Sequence, residues 1–351
     1  RSPKKGRVAN KVGGLSAPSA HSLGSYRYRS KDGKDWKLLD GPHLPTPRGD
    51  VCYVYRQPDG SYVSIFKING DLKDGGRVIP YDNDTKTIRK VARRTSADGR
   101  EWGNQETILS PDWRDPDFTQ FLEICPVTVE GGFVALVNYY NPAIQTMSLQ
   151  LAASRDGIHW WRPDRRLALA NPPLGDYVSG MIWQMHHPIA EDGKMHVYYA
   201  GSEGLHGEIF DTRFKSRIEV GGESVIGIET PTLPFNTALC RATWEFDRLW
   251  ALVSSAGGQT LGKAVTHSQE LAGKRLSVNV RVKDRGELRV ELLDQSNRPI
   301  PGFSAEDCQP ITGDHRQMTV RWKGGETPPA KAVKTRFVLR RAFLYGYDWV
   351  D

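Results

Sequence analysis

Apolar and polar positions along this chain are arranged in two different ways. Before about residue 260 the apolar residues come in short paired runs separated by turn residues. Val51-Cys52-Tyr53-Val54-Tyr55 leads through Pro58-Asp59-Gly60 into Tyr62-Val63-Ser64-Ile65-Phe66. Ile124 to Val129 leads through Gly131-Gly132 into Phe133-Val134-Ala135-Leu136-Val137, and Met181 to Ile189 leads through Glu191-Asp192-Gly193 into Met195-His196-Val197-Tyr198-Tyr199. Each pair reads as an antiparallel hairpin. Beyond about residue 260, Leu276, Val278, Val280 and Val282 alternate with Ser277, Asn279, Arg281 and Lys283. The same one-sided alternation returns at Leu288, Val290 and Leu292, at Met318, Val320 and Trp322, and at Val333, Thr335, Phe337 and Leu339. Such strands bury one face, as in a β-sandwich.

A motif is laid over the first texture. Ser30-Lys31-Asp32-Gly33-Lys34-Asp35-Trp36 recurs as Ser96-Ala97-Asp98-Gly99-Arg100-Glu101-Trp102 and as Ser154-Arg155-Asp156-Gly157-Ile158-His159-Trp160, roughly every 60 residues. Asp-Gly supplies the positive φ of a tight turn, the Ser hydroxyl bonds nearby backbone, and the Trp packs the turn on its neighbour. Each copy ends a strand-like run, at Tyr26–Arg29, Ile88–Thr95 and Met147–Ala153. Two central strands, a third strand, and this turn into a fourth describe a four-stranded propeller blade. The Ser, Asp and Gly of each copy therefore read as a folding device on the outer rim.

The chain is thus expected to be all-β, with an irregular segment over 1–23, a β-propeller of four or five blades over 24–260 and a C-terminal β-sandwich over 261–351. The first repeat shows only its outer half, so the propeller is either incomplete at its start or closed by strands from elsewhere. The stretch from Glu203 to Phe235 reads as a long loop that shapes a site.

Composition agrees with many short strands: of 351 residues, 35 are Gly and 22 Pro. No apolar run approaches the roughly 20 residues of a membrane helix, so the chain reads as soluble without a membrane span. It opens on Arg1 rather than Met, which leaves room for a removed leader. A secreted, periplasmic or bacterial cell-surface location is the expectation. Cys52, Cys125, Cys240 and Cys308 have no zinc-site spacing. Cys52 and Cys125 occupy equivalent places of two repeats and read equally as a bridge or as buried thiols. The formal net charge is +7. Its basic residues are dispersed and no nucleic-acid-binding motif is present; a positive surface field would attract an anionic oligo- or polysaccharide as partner, and the same charge reads equally as a solvated surface with no acidic partner.

These turns, the Gly49-Asp50 entry to a blade, and the C-terminal Gly286-Glu287-Leu288-Arg289-Val290-Glu291 with Ile300-Pro301-Gly302-Phe303 resemble the five-bladed propeller glycoside hydrolases of families 32, 43 and 68. The likeness is nearest to uncharacterised family-32-like bacterial proteins and covers about residues 24–345. It implies a propeller followed by a sandwich and a glycoside hydrolase with carboxylates in the funnel. Arg114-Asp115-Pro116 resembles the family-32 motif whose Asp stabilises the transition state, and Glu123-Ile124-Cys125-Pro126 resembles its general-acid motif. The two lie about eight residues apart rather than in successive blades, and no Asn-Asp-Pro nucleophile motif is present.

Residues opening an innermost strand line a propeller funnel. That rule selects Asp50, with Asp115, Asp117 and Glu123, as the carboxylates able to serve as acid and as base or nucleophile. Asp50 as base or nucleophile and Glu123 as acid is the favoured pair, with Asp115 and Glu203 as further catalytic candidates. For substrate binding the candidates are Arg48 and Arg114 toward anionic groups, Asp117, the stacking residues Trp113 and Trp183, and His187 and His206. No cofactor is required by this chemistry. The oxygen-bearing side chains leave room for a structural calcium at the axis. A non-catalytic glycan-binding propeller and a sialidase- or lyase-type propeller remain as alternatives.

Overall fold

A computed structural model describes residues 25–44, 51–57, 59–71, 87–129, 131–173, 175–184, 187–206, 217–220, 223–226, 237–254 and 260–351. The described residues are all-β, relieved by one short 3-10 turn at Phe246–Arg248. None of their helices is long and apolar enough to cross a membrane. The chain divides into two compact units, Arg1–Ile189 with Val197–Ala242 and Ala190–His196 with Thr243–Asp351.

In the first unit, β1 (Ser25–Ser30) and β2 (Trp36–Leu44) form a hairpin. Four consecutive strands, β3 (Cys52–Arg56), β4 (Tyr62–Asp71), β5 (Thr87–Ser96) and β6 (Glu106–Leu109), form an antiparallel sheet in chain order. The next four, β7 (Gln120–Val129), β8 (Gly132–Asn141), β9 (Thr146–Ser154) and β10 (Leu167–Leu169), repeat that meander. On the β9 side of this second sheet, β11 (Met181–Gln184) joins in parallel through Met181 and Met147, and the Tyr199–Ser202 part of β13 (Lys194–Ser202) pairs antiparallel with β11; β12 (Ile189–Glu191) and the start of β13 fall at the division between the units. The two meanders share one core. Val63 and Ile65 of β4 and Val91 of β5 meet Phe121 and Ile124 of β7, Ala135 and Val137 of β8, and Ala152 of β9. Period-two alternation places the residues of β4 and β8 on one side of each strand, and in β7 an irregularity between Phe121 and Glu123 brings Phe121 and Ile124 to the same side.

All three Ser-x-Asp-Gly-x-x-Trp copies form the same turn. The Ser Oγ accepts the Gly N–H at 2.8 Å in each. The Asp Oδ1 accepts the next two backbone N–H groups at 2.8–3.0 Å. Gly33, Gly99 and Gly157 stand at φ of 74°, 75° and 71°, where an L side chain is strained. The Trp Nε1 donates to the Gly carbonyl in the first and third copies. In the second copy Trp102 Nε1 is buried without a partner. These bonds hold the Asp32 and Asp98 carboxyls below their ordinary range, Asp32 at about 2, and Asp156 is lowered first by the His159 side chain and then by the same backbone bonds.

The stretch read as a long loop contains a hairpin, β14 (Arg217–Val220) and β15 (Glu223–Ile226), in register from Arg217–Ile226 to Val220–Glu223. Ile218 and Val220 alternate with polar residues there, and the neighbouring Gly and Pro residues hide so short a signal. The strand β16 (Thr237–Glu245) follows. The four cysteines, all among the described residues, are thiols rather than disulfide partners.

The second unit is organised by two long strands, β19 (Arg275–Leu293) and β21 (Lys334–Val350), paired antiparallel from Arg275–Val350 to Leu293–Lys334. Together with β17 (Leu252–Val253), β18 (Gly262–Val265) and β20 (Asp314–Thr319) they make one five-stranded sheet. The register slips between Val282 and Glu287, where Arg285 takes φ 60°. A Cβ on Gly286 would meet the Arg340 carbonyl oxygen at 2.5 Å, so glycine is required at this bend. Leu276, Val278, Val280, Leu288, Val290 and Leu292 line the inner face, covered by Ile300, Phe303, Ile311 and Trp322. Trp322 Nε1 donates to the Val290 carbonyl at 2.6 Å.

Candidate functional site

Strand β7 carries the residues that matter most. A bulge inserts Leu122 between Phe121, opposite Tyr139, and Glu123, opposite Asn138. In a regular strand Glu123 would share the face of Phe121 and enter the apolar core. With the bulge it joins Gln120, Asn138 and Tyr140 on the other face. That face also holds Leu122, Met147 and Met181, with Trp183 packed against them.

Glu123 is 9 % exposed. Loss of water pushes its carboxyl up to about 7, and the Cys125 thiol, which hydrogen-bonds it, pulls only slightly the other way. No cation among the described residues contributes. The Cys125 thiol is raised well above its ordinary value, first by burial and then by the Glu123 charge. Opposite Glu123, Asn138 is wholly buried, and neither its Oδ1 nor its Nδ2 has a partner.

A polar cluster continues toward the start of β7. Arg89 Nη1 donates to Gln120 Oε1 at 2.6 Å, and its guanidinium lies 5.5 Å from the Tyr140 ring centre. The His206 ring lies 4.6 Å from the same Tyr140 ring, and the His206 N–H donates to the Gln145 carbonyl. Arg89, Gln120 and His206 are all nearly inaccessible. A carboxylic acid poised near neutrality, with a buried amide opposite it in the sheet, can give and recover a proton at physiological pH.

Asp115 is placed quite differently. Its side chain is 2 % exposed, and both oxygens are occupied. Arg162 donates from Nη1 to Oδ1 at 2.7 Å and from Nη2 to Oδ2 at 2.6 Å. Arg165 Nη1 reaches Oδ1 at 2.8 Å, and the Asp112 N–H reaches Oδ2 at 2.9 Å. Burial alone would raise this carboxyl, but the arginine bonds outweigh it and hold Asp115 below its ordinary value. The loop so fixed exposes Arg114, Asp117 and Trp113, the last at 91 %.

His187 contacts the Tyr53 hydroxyl and the Pro126 carbonyl through Nδ1, and its ring stands 4.1 Å from that of Tyr53. Tyr53 packs on the Phe121–Ile124 side of the sheet, so His187 lies away from Glu123. Burial lowers its basicity, partly offset by the Pro126 bond. Glu203 is half-buried just past β13. Arg48 and Asp50 lie outside the described residues. Among the described residues no three His, Cys, Asp or Glu side chains gather as a metal cage.

Sequence reasoning missed Arg89, Gln120, Asn138 and Tyr140. A signal existed for two of them. Arg89 falls in phase with Val91 in β5, and Asn138 falls in phase with Val134 and Leu136 in β8. A polar residue at an inward position of an apolar strand requires a partner or a purpose.

No family model matches the chain, and no curated protein matches it. Solved structures similar to it include a glycoside hydrolase (16% identity over 47% of this chain and 48% of that one, TM-score 0.34). Another is the β-1,2-mannobiose phosphorylase of Listeria innocua in complex with β-1,2-mannobiose (21% identity, 50% and 44% covered, TM-score 0.34). A third is a glycosyl hydrolase from Bacteroides ovatus (19% identity, 43% and 42% covered, TM-score 0.28). The chain spans about half the length of each of these proteins or less.

Proposed function

We propose that the chain is a glycan-active enzyme, a glycoside hydrolase in which Glu123 protonates the departing glycosidic oxygen. The observation that carries this is the Glu123 carboxyl, turned out of the core by the Leu122 bulge and raised by burial to about 7. The likeness of Glu123-Ile124-Cys125-Pro126 to a general-acid motif supports the same role. In this reading β3–β6 and β7–β10 are two blades of a five-bladed propeller, and the second unit is its accompanying sandwich. The net charge of +7 favours an anionic glycan as substrate and a secreted or surface location.

The mechanism needs a second carboxylate to activate water or attack the anomeric carbon. Asp50 and Glu203 are proposed for that task. Asp115, with both oxygens bonded to arginines and backbone, is proposed to fix the loop that carries Trp113. The test is hydrolysis of a glycan library by the wild-type protein and by Glu123→Gln, followed across pH. Wild-type activity should fall as pH rises through about 7, because the acid must be protonated. The amide variant should lose at least ~10²-fold in kcat and that basic limb with it. Retained activity in Glu123→Gln ends this assignment.

A further inference from the structure

The opposite face of the β8–β9 pair carries a concavity. A cleft of about 500 Å³ opens between the loop ahead of β7, the β8–β9 turn, and the segment from β10 to Ser179. Tyr139, Ser148 and Gln150 form its floor, in phase with the face turned away from Asn138.

Its walls are already fixed. Ser148 Oγ donates to Asn171 Oδ1 at 2.5 Å, Asn171 Nδ2 to the Val178 carbonyl at 3.1 Å, and Gln150 Nε2 to the Arg165 carbonyl at 2.8 Å. Ile144, Leu167, Pro172 and Pro173 give it an apolar rim, with Ile144 58 % exposed. Its charged lining residues are Asp115 and Arg165, and these neutralise each other at 2.8 Å. Two polar groups are left over. Ser179, 3 % exposed, lines the cleft with an Oγ that has no partner, and the buried Arg165 Nε–H has none either.

A cleft with an apolar rim, spare hydrogen-bonding groups in its lining and no net charge suits a ligand that has an apolar face and hydroxyl groups but no charge. A hexopyranose ring has that chemistry. We propose that this cleft is a second saccharide-binding site, separate from Glu123, that holds an unsubstituted hexose unit. Ile144 and Pro172 contact the ring, and Ser179 Oγ and Arg165 Nε, which have almost no accessible surface, bond its hydroxyls once the lining shifts to admit it. This would let the protein hold a glycan chain by a neutral unit away from the bond being cut. The site does not depend on the catalytic reading, since it stands on the opposite face of the sheet.

The full-length chain carrying Glu123→Gln is titrated with maltose, cellobiose and glucuronic acid, and binding is followed by ligand-observed NMR. The expected result is binding of at least one neutral disaccharide with a millimolar Kd, and glucuronic acid at least about ten-fold weaker. Ile144→Arg, at an exposed position that projects a charge across the mouth, should weaken binding at least about ten-fold with an unchanged melting temperature. Ser179→Ala should weaken it about three-fold or more. Absence of binding to both disaccharides up to ~50 mM overturns the proposal. So does a preference for glucuronic acid, or unaltered affinity in Ile144→Arg, which would locate the sugar elsewhere. The turnover of Glu123→Gln reads on the catalytic assignment alone, so the two can fail separately.

Discussion

Two carboxyl groups eight positions apart are both removed from water, and they end in opposite states. Asp115, in the loop ahead of β7, meets two guanidinium groups and a backbone N–H, and it stays ionised. Glu123, inside β7, meets a thiol and an unpartnered amide, and its proton is held to about 7. Asp115 is the less deeply buried residue of the two, with its side chain alone closed off at 2 % exposure, against 9 % for the whole of Glu123. Their partners separate them further. A buried acid with cations is a structural clasp, and a buried acid without them is a proton reservoir.

The most severe way to break this contrast is to remove a cation. Arg162→Ala leaves Asp115 buried with half its bonds and strips the guanidinium lying 4.4 Å from the Phe121 ring centre. It should cost about 3–5 kcal/mol in urea unfolding, as loss of one member of a buried ion pair does. A loss below about 1 kcal/mol would show that the clasp is not structural.

A smaller effect comes from pH. Glu123 is raised in the folded chain, so its contribution to stability is fully present below the unfolded-state value of 4.5 and is lost as pH rises through about 7. Asp115 behaves inversely, its contribution being present above its ordinary value and lost on acidification. Glu123→Gln removes the first dependence. Between pH 4.5 and 8.5 the variant should gain on the wild type by up to about 3 kcal/mol, at ~1.4 kcal/mol for each pH unit between the two values. Parallel stability curves for the two proteins would contradict a buried, protonated Glu123.

The least of the three sharpens the thiol's part. Cys125→Ala removes the one hydrogen bond that favours the charged form of Glu123. The Glu123 titration, followed by NMR, should move upward by less than about one pH unit. A downward move would mean the thiol acts in the reverse sense.

Why one acid of this pair was easier to judge from sequence than the other is a matter of periodicity. The strands, hairpins and Asp-Gly turns follow from alternation and from residues that accept positive φ, both of which are local. The sequence marks Glu123 because it stands near the start of an apolar strand, yet the face it takes depends on the Leu122 bulge. A bulge leaves no mark on the order of apolar and polar residues, because Phe121, Leu122 and Ile124 are apolar on either register. The arginines that clasp Asp115 come from some 50 positions further along, so their pairing is a property of the folded sheet. Gln120 met Arg89 in the same non-local way.

The burial of Cys125 reaches beyond proton chemistry. A thiol must ionise before it attacks a peroxide or a disulfide, and this one is driven away from ionisation by its surroundings and by its neighbour's charge. Cys308, buried in the second unit, is likewise raised. Burial and weak acidity both act against oxidation of these two sulfurs for as long as the chain stays folded. The expected consequence is that a mild oxidant leaves Cys125 and Cys308 as thiols in the folded chain and reaches them only on unfolding.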